Sequence, residues 1–135
     1  MKNINYQKAL ALASYLDNDQ FDLAATLIEN DCIYYSSGGQ LVGPKNIISS
    51  YKEHTDYAHV TFDKVIYESV VKEVSPSEFE ITYKDIISKL GKTHIYQCRQ
   101  IISFNSNNLI EKIKHNEITS EYEKLLNFYK EVGLK

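Results

Sequence analysis

The order of its elements constrains this chain most. Two short apolar helical segments lead into Asp31-Cys32-Ile33-Tyr34-Tyr35-Ser36-Ser37-Gly38-Gly39, Gly43-Pro44 opens a further helix, and about sixty residues of long strand follow. Long strands that follow helices bend around what they cover. The order therefore implies a curved sheet wrapped on helices, an architecture that leaves a cavity.

Between Ile4 and Leu16, the residues Tyr6, Ala9, Leu10, Ala13 and Leu16 recur at spacings of three and four, which predicts one buried helical stripe. Asp17-Asn18-Asp19 ends it, and Asp19 is placed to cap a second helix whose buried side is Phe21, Ala24, Leu27 and Ile28. From Cys32 the residues favour strand, up to a turn at Gly38-Gly39. Pro44 suits the first turn of a third helix, with Ile47, Ile48 and Tyr51 on its apolar face and an end near Tyr57. Long strands are expected from Val60 to Val74, Glu78 to Leu90 and Lys92 to Asn105, broken at Ser75-Pro76-Ser77 and Leu90-Gly91, with a further strand from Leu109 to Ile118. Ser120 and Glu123 read as a capping box for a short final helix reaching Gly133. This is an α+β pattern: N-terminal helices packed on a strongly curved, mostly antiparallel sheet, plus a short C-terminal helix. No linker or repeat interrupts residues 1–135, which read as one domain.

Charge and cysteine usage remove several functions. With 15 basic and 18 acidic residues, a net charge of -3 and no basic cluster, nothing draws the chain to nucleic acid. Cys32 and Cys98 are isolated and the four histidines scattered, so neither zinc-type nor redox spacing occurs; no metal and no cofactor is expected. Two unpaired thiols fit a reducing compartment, and the polar start Met1-Lys2-Asn3-Ile4-Asn5-Tyr6 is no signal peptide, so a cytoplasmic location is expected. No apolar run approaches the roughly 18 residues of a membrane span, so no membrane partner is expected. Eleven tyrosines and no tryptophan suit strands and half-polar cavities alike.

Phe21-Asp22-Leu23-Ala24-Ala25-Thr26-Leu27-Ile28 leads to Asp31-Cys32, and Gly43-Pro44-Lys45-Asn46-Ile47-Ile48 follows. Further on stand Ile101-Ile102-Ser103-Phe104 and, after a polar turn, Leu109-Ile110-Glu111-Lys112-Ile113. In order and spacing these pieces resemble the nuclear transport factor 2-like superfamily, in particular its SnoaL-like and ketosteroid-isomerase-like branches, from about Tyr6 to Ile118. The resemblance implies a cone in which a bent sheet and the N-terminal helices enclose a cavity, the other sheet face often serving dimerisation. It implies no single activity, because that superfamily holds isomerases, cyclases, dehydratases, hydrolases and binding proteins. Aligned through Asp22 to Asp31, Ser36 falls where a ketosteroid isomerase has its general-base aspartate. Leu12 falls at the oxyanion-donating tyrosine and Gln100 at the protonated carboxylic acid. A hydroxyl, an alkyl group and an amide do not supply that chemistry, so ketosteroid isomerisation is not expected.

Alternation then fixes the cavity face. If Gln100 points inward, so do His94, Tyr96, Cys98, Ile102 and Phe104, joined by Cys32, Tyr34 and Ser36 on the first strand and Ile113, His115 and Glu117 on the last. A tight turn at Leu90-Gly91 sets Ile87 opposite His94, Asp85 opposite Tyr96 and Tyr83 opposite Cys98. Asp85 and His94 become diagonal neighbours about 7 to 8 Å apart, a candidate catalytic carboxylate-imidazole pair or else a solvated pair at the wet end of the hairpin. The candidate ligand-binding residues are Tyr34, Ser36, Tyr83, Tyr96, Cys98, Gln100, Ile113, His115 and Glu117, although His115 and Glu117 also read as surface residues. Around the third helix Tyr51, His54, Tyr57 and His59 offer an alternative pocket lining, although Tyr51 reads most simply as core and His59 as loop. The convex residues Ile33, Tyr35, Ile95, Arg99 and Ile101 are more apolar than a solvated face requires, which suggests a two-fold homodimer.

The function expected is a SnoaL-like domain binding a small, partly hydrophobic molecule in the cone cavity. The alternatives are a cofactor-independent isomerase, dehydratase, cyclase or hydrolase using Asp85 and His94, and a protein-interaction subunit using the convex sheet face.

Overall fold

The computed structural model describes residues 3–134. Helix α1 spans Ile4–Asp17 and buries Ala9, Leu12, Ala13 and Leu16, whereas Leu10 turns outward at 43% exposure. The buried stripe thus runs through Leu12 rather than Leu10. Asn3 caps it, its side chain accepting from the Asn5 amide at 2.9 Å.

Helix α2 is a single short segment, Phe21–Ala25, with no side-chain cap. Asp19 does not cap it, because that residue sits at φ 57° and its carboxylate turns to the third helix, reaching Thr55 Oγ1 and His59 Nε2, each at 3.4 Å. Strand β1 covers Ile28–Ser36, so Ile28 is a strand residue and not part of the second helix. A short strand β2, Gly39–Val42, folds back on β1 from Ser36↔Gly39 to Ile33↔Val42 where the sequence suggested only a turn. Gly43 follows at φ 86°, and a Cβ there would meet the Asn30 carbonyl at 3.2 Å, so glycine is required on two counts.

Helix α3 runs Pro44–Thr61, a turn beyond Tyr57, and thereby takes Val60 and His59 out of the expected strand and loop. Strands β3 (Lys64–Ser75), β4 (Glu78–Lys89), β5 (Lys92–Phe104) and β6 (Ile110–Glu117) complete the sheet, in the order β2-β1-β6-β5-β4-β3. Among the described residues only β1 and β6 pair in parallel. Leu90 and Gly91, at φ 53° and 76°, form the two-residue turn that holds Ile87↔His94, Asp85↔Tyr96 and Tyr83↔Cys98 in register.

Helix α4 spans Thr119–Glu131. It starts without the Ser120–Glu123 capping box: Ile118 is the N-cap, its carbonyl accepting from Glu121 and Tyr122, which leaves Ser120 inside the first turn.

Two buried clusters result. The larger joins α1 and Ile47 of α3 to the concave sheet face through Leu12, Phe79, Ile81, Ile102 and Ile113, each worth about 1.5 to 3 kcal/mol on burial. The smaller lies under α4 and holds Phe62, Ile87, Leu125, Phe128 and Val132. Among the described residues no helix is long and apolar enough to cross a membrane.

Candidate functional site

A cavity of about 440 Å³ opens beside the larger cluster, within the range of small-molecule sites. The C-terminal end of α1 contributes Leu16 and Asp17, α2 contributes Phe21, α3 contributes Ser50, Tyr51, His54, Thr55 and Ala58, and the sheet with its β1–β2 turn contributes the rest of the wall. Of the candidates, Tyr34, Ser36, Tyr83, Asp85, Cys98, Gln100, His115 and Glu117 line it.

Three candidates lie elsewhere. Ile113 is fully buried in the larger cluster. Tyr96 packs against the smaller cluster, and His94 lies flat on Phe128, ring centroids 5.2 Å apart at 18°. The His94 Nε2 is buried without a partner, and no hydrogen bond joins that ring to Asp85. The carboxylate-imidazole pair therefore does not form: alternation turns both side chains inward, but α4 covers one while the other faces the cavity. Desolvation lowers the pKa of His94, favouring its neutral form.

Gln100 organises one side of the cavity. Its Oε1 accepts from the Tyr51 hydroxyl at 2.6 Å, and its Nε2 donates to the Tyr34 hydroxyl at 3.3 Å and to His115 Nδ1 at 3.2 Å. His115 thus accepts at Nδ1 and carries its proton on Nε2, in agreement with the desolvation that holds its pKa low. Its ring stacks on Tyr34 at 6.3 Å, and Tyr34 meets Tyr51 edge-on at 6.1 Å. This side is a closed hydrogen-bond network.

The opposite side is less satisfied. Ser69 donates to Asp17 Oδ2 at 2.6 Å and Thr55 donates to the Tyr67 hydroxyl at 2.7 Å, but the buried hydroxyl of Tyr83 has no partner. Burial, and then the charge of Asp17, push the Asp85 carboxyl up to about 6. Asp17 is itself raised by desolvation. Burial, with the charges of Asp85 and Glu117, pushes the Cys98 thiol up to about 12, so it is a neutral wall residue rather than a nucleophile. Among the described residues no three His, Cys, Asp or Glu converge to hold a metal ion.

Asp17, Tyr51, Thr55 and Tyr67 are wall residues beyond the set read from the strands. Asp17 carried a signal, since it stands four residues after Ala13 on the buried face of α1. Tyr67 is opposite Asp85, but only the β3–β4 register reveals it.

No family model matches the sequence, and no curated protein matches it. Solved structures match over most of the chain. TerC co-crystallized with polyporic acid superposes with a TM-score of 0.67 at 12% identity, covering 91% of this chain and 98% of that one. A Mycobacterium tuberculosis protein in complex with estradiol-17beta-hemisuccinate gives 0.63 at 11% identity, over 89% and 98% of the two chains. An NTF2-like protein of unknown function from Cytophaga hutchinsonii gives 0.62 at 13% identity, over 82% and 96%. At these identities the likeness is one of fold.

Proposed function

We propose that this chain, which has the nuclear transport factor 2-like fold, is a SnoaL-like domain that binds a small, partly hydrophobic molecule in its cone cavity. The carrying observation is the cavity itself: about 440 Å³ of space walled by Tyr34, Tyr51, Tyr67 and Tyr83, with polar groups converging on it. The ring-bearing molecules held by TerC and by the Mycobacterium tuberculosis protein on the same fold support this reading. Cys98→Trp puts an indole into the wall and tests it. Ring ligands that raise the melting temperature of the wild type are expected to lose that effect in the variant, and an unchanged shift would place their binding outside the cavity.

A second reading, a cofactor-independent enzyme, is favoured by Asp85. A buried carboxyl held at about 6 is matched to proton abstraction near neutral pH. His94 is not its partner in this reading, since it lies under α4. A turnover rate that rises through pH about 6 and is abolished in Asp85→Asn would support it, and a flat pH profile would sink it.

The proposed assembly is a two-fold homodimer through the convex sheet face at Ile33, Tyr35, Ile95, Arg99 and Ile101. Ile95 is 49% exposed there and Val70, on the same face, 59%. Arg99→Glu should lower the molar mass seen in sedimentation at micromolar concentration. An unchanged mass would count against this face.

A further inference from the structure

The charge in the cavity wall is one-sided. Asp17, Asp85 and Glu117 line it, and among the described residues no lysine or arginine does. His115 adds no positive charge, because its Nδ1 accepts from Gln100 in a desolvated setting that favours the neutral ring. Two of the three carboxyls, Asp17 and Asp85, are close enough for one charge to oppose ionisation of the other. Ser69 gives Asp17 one hydrogen bond, and among the described residues no ion pair reaches Asp85.

A second observation points to an occupant. Tyr83 lines the same cavity, and its phenolic oxygen is buried without any hydrogen-bond partner. Nearly every buried hydroxyl in a folded protein is paired, so this hydroxyl, a donor and an acceptor, is left for an occupant of the cavity to satisfy. The rings of Tyr34, Tyr51, Tyr67 and Tyr83 add electron-rich surface, which attracts organic cations.

We infer that the molecule bound in this cavity carries a protonated nitrogen on a ring-bearing body, with the nitrogen beside Asp85 and Asp17 and the rings against the tyrosines. The inference rests on the cavity being a ligand site and names the chemical class of that ligand. An ammonium supplies both what the carboxylates lack, a positive charge, and what Tyr83 lacks, a hydrogen-bond partner, with the phenolic oxygen accepting. A metal ion fits less well, since no three suitable ligands converge among the described residues. Acids of the kind held by the structural neighbours carry the wrong charge for this wall.

The preference depends on Asp85 being ionised. Its titratable neighbours are Asp17 from α1, Tyr67 from β3, Tyr96 and Cys98 from β5 and Tyr129 from α4, while on α3 His54 lines the same cavity and His59 is tied to Asp19. With the carboxyl held at about 6, preference for a cation is full above that pH and fades as pH falls through it.

Naphthylmethylamine, naphthalenemethanol and naphthoic acid share a ring body and differ in charge, so calorimetric titration of all three on the full chain separates the possibilities. Near pH 7.5 the amine is expected to bind about ten-fold tighter than the alcohol, and the acid most weakly. Asp85→Asn should bring the amine to the affinity of the alcohol while leaving the alcohol within about two-fold, and Glu117→Gln, at an exposed wall position, should weaken the amine about two-fold. If the alcohol or acid binds as tightly as the amine and Cys98→Trp abolishes that binding, the charge inference falls and the cavity reading survives. An amine affinity indifferent to Asp85→Asn also overturns it. If none of the three binds, the cavity reading falls for ring ligands and the inference falls with it.

Discussion

His94 and His115 project inward from neighbouring strands, and desolvation holds both below the ordinary histidine pKa, yet they belong to different kinds of structure. His94 lies under α4, flat on Phe128, with its Nε2 unpaired. His115 stands in the cavity wall, bonded to Gln100 and stacked on Tyr34. The sheet offers polar inward residues along its whole length. What lies across from them decides which become core and which become site: apolar α4 at one end, Asp17, Tyr51 and Thr55 of α1 and α3 at the other.

The strongest way to break this contrast is to remove the cover. Phe128→Ala should cost about 3 to 5 kcal/mol in urea unfolding, since the side chain is buried between Phe62 and His94. Water then reaches the imidazole, and its NMR titration should move up toward the usual histidine value, while that of His115 stays put. A His94 titration that does not move would mean that α4 is not what desolvates it.

Asp85→Asn tests the other region. The carboxyl is raised from 3.8 to about 6 in the folded chain, so the folded state keeps its proton longer than the unfolded state does. Wild-type stability therefore falls as pH rises from about 4 to about 6 and stays reduced above that, by roughly 3 kcal/mol. The asparagine variant should be more stable than wild type by about that amount at neutral pH and equal to it below pH about 4. A difference that is independent of pH would place Asp85 in contact with bulk water.

Gln100→Leu sharpens the comparison within the cavity. It strips a partner from Tyr51, Tyr34 and His115 together, and the loss should be about 2 kcal/mol, mostly from the buried Tyr51 hydroxyl.

Much of this was legible from the chain. Once a two-residue turn is taken at Leu90-Gly91, which the structure has, strand parity assigns Tyr83, Asp85, Cys98 and Gln100 to the concave face; a one-residue slip would have undone it. Parity says nothing of what stands opposite, which is why His94 and Tyr96 read as site residues: the landing place of α4 is set by packing, not by its own pattern. Strand β2 was hidden for another reason. Gly39-Gln40-Leu41-Val42 is only four residues between glycines and gains its ladder from β1 alone. Tyr57 to Thr61 mixes helix-compatible and β-branched residues, so the end of α3 is decided by the reversal into β3 rather than by propensity.

The smallest expected effect separates the two sides of the cavity most finely, through two tyrosines that differ by one hydrogen bond. The Tyr51 hydroxyl gives a 2.6 Å bond to Gln100, whereas that of Tyr83 is buried with no partner. Removing the first oxygen should therefore cost about 1 kcal/mol, and removing the second should leave stability unchanged or raise it by up to about 1 kcal/mol. Ligand binding should reverse the order of importance. If Tyr83 accepts from a bound ammonium, Tyr83→Phe weakens the naphthylmethylamine probe about five-fold, while a Tyr51→Phe change on the satisfied side weakens it less. Urea midpoints without ligand and titrations with it read both halves. If Tyr83→Phe destabilises the free protein as much as Tyr51→Phe does, Tyr83 already has a partner and the two sides of the cavity are alike.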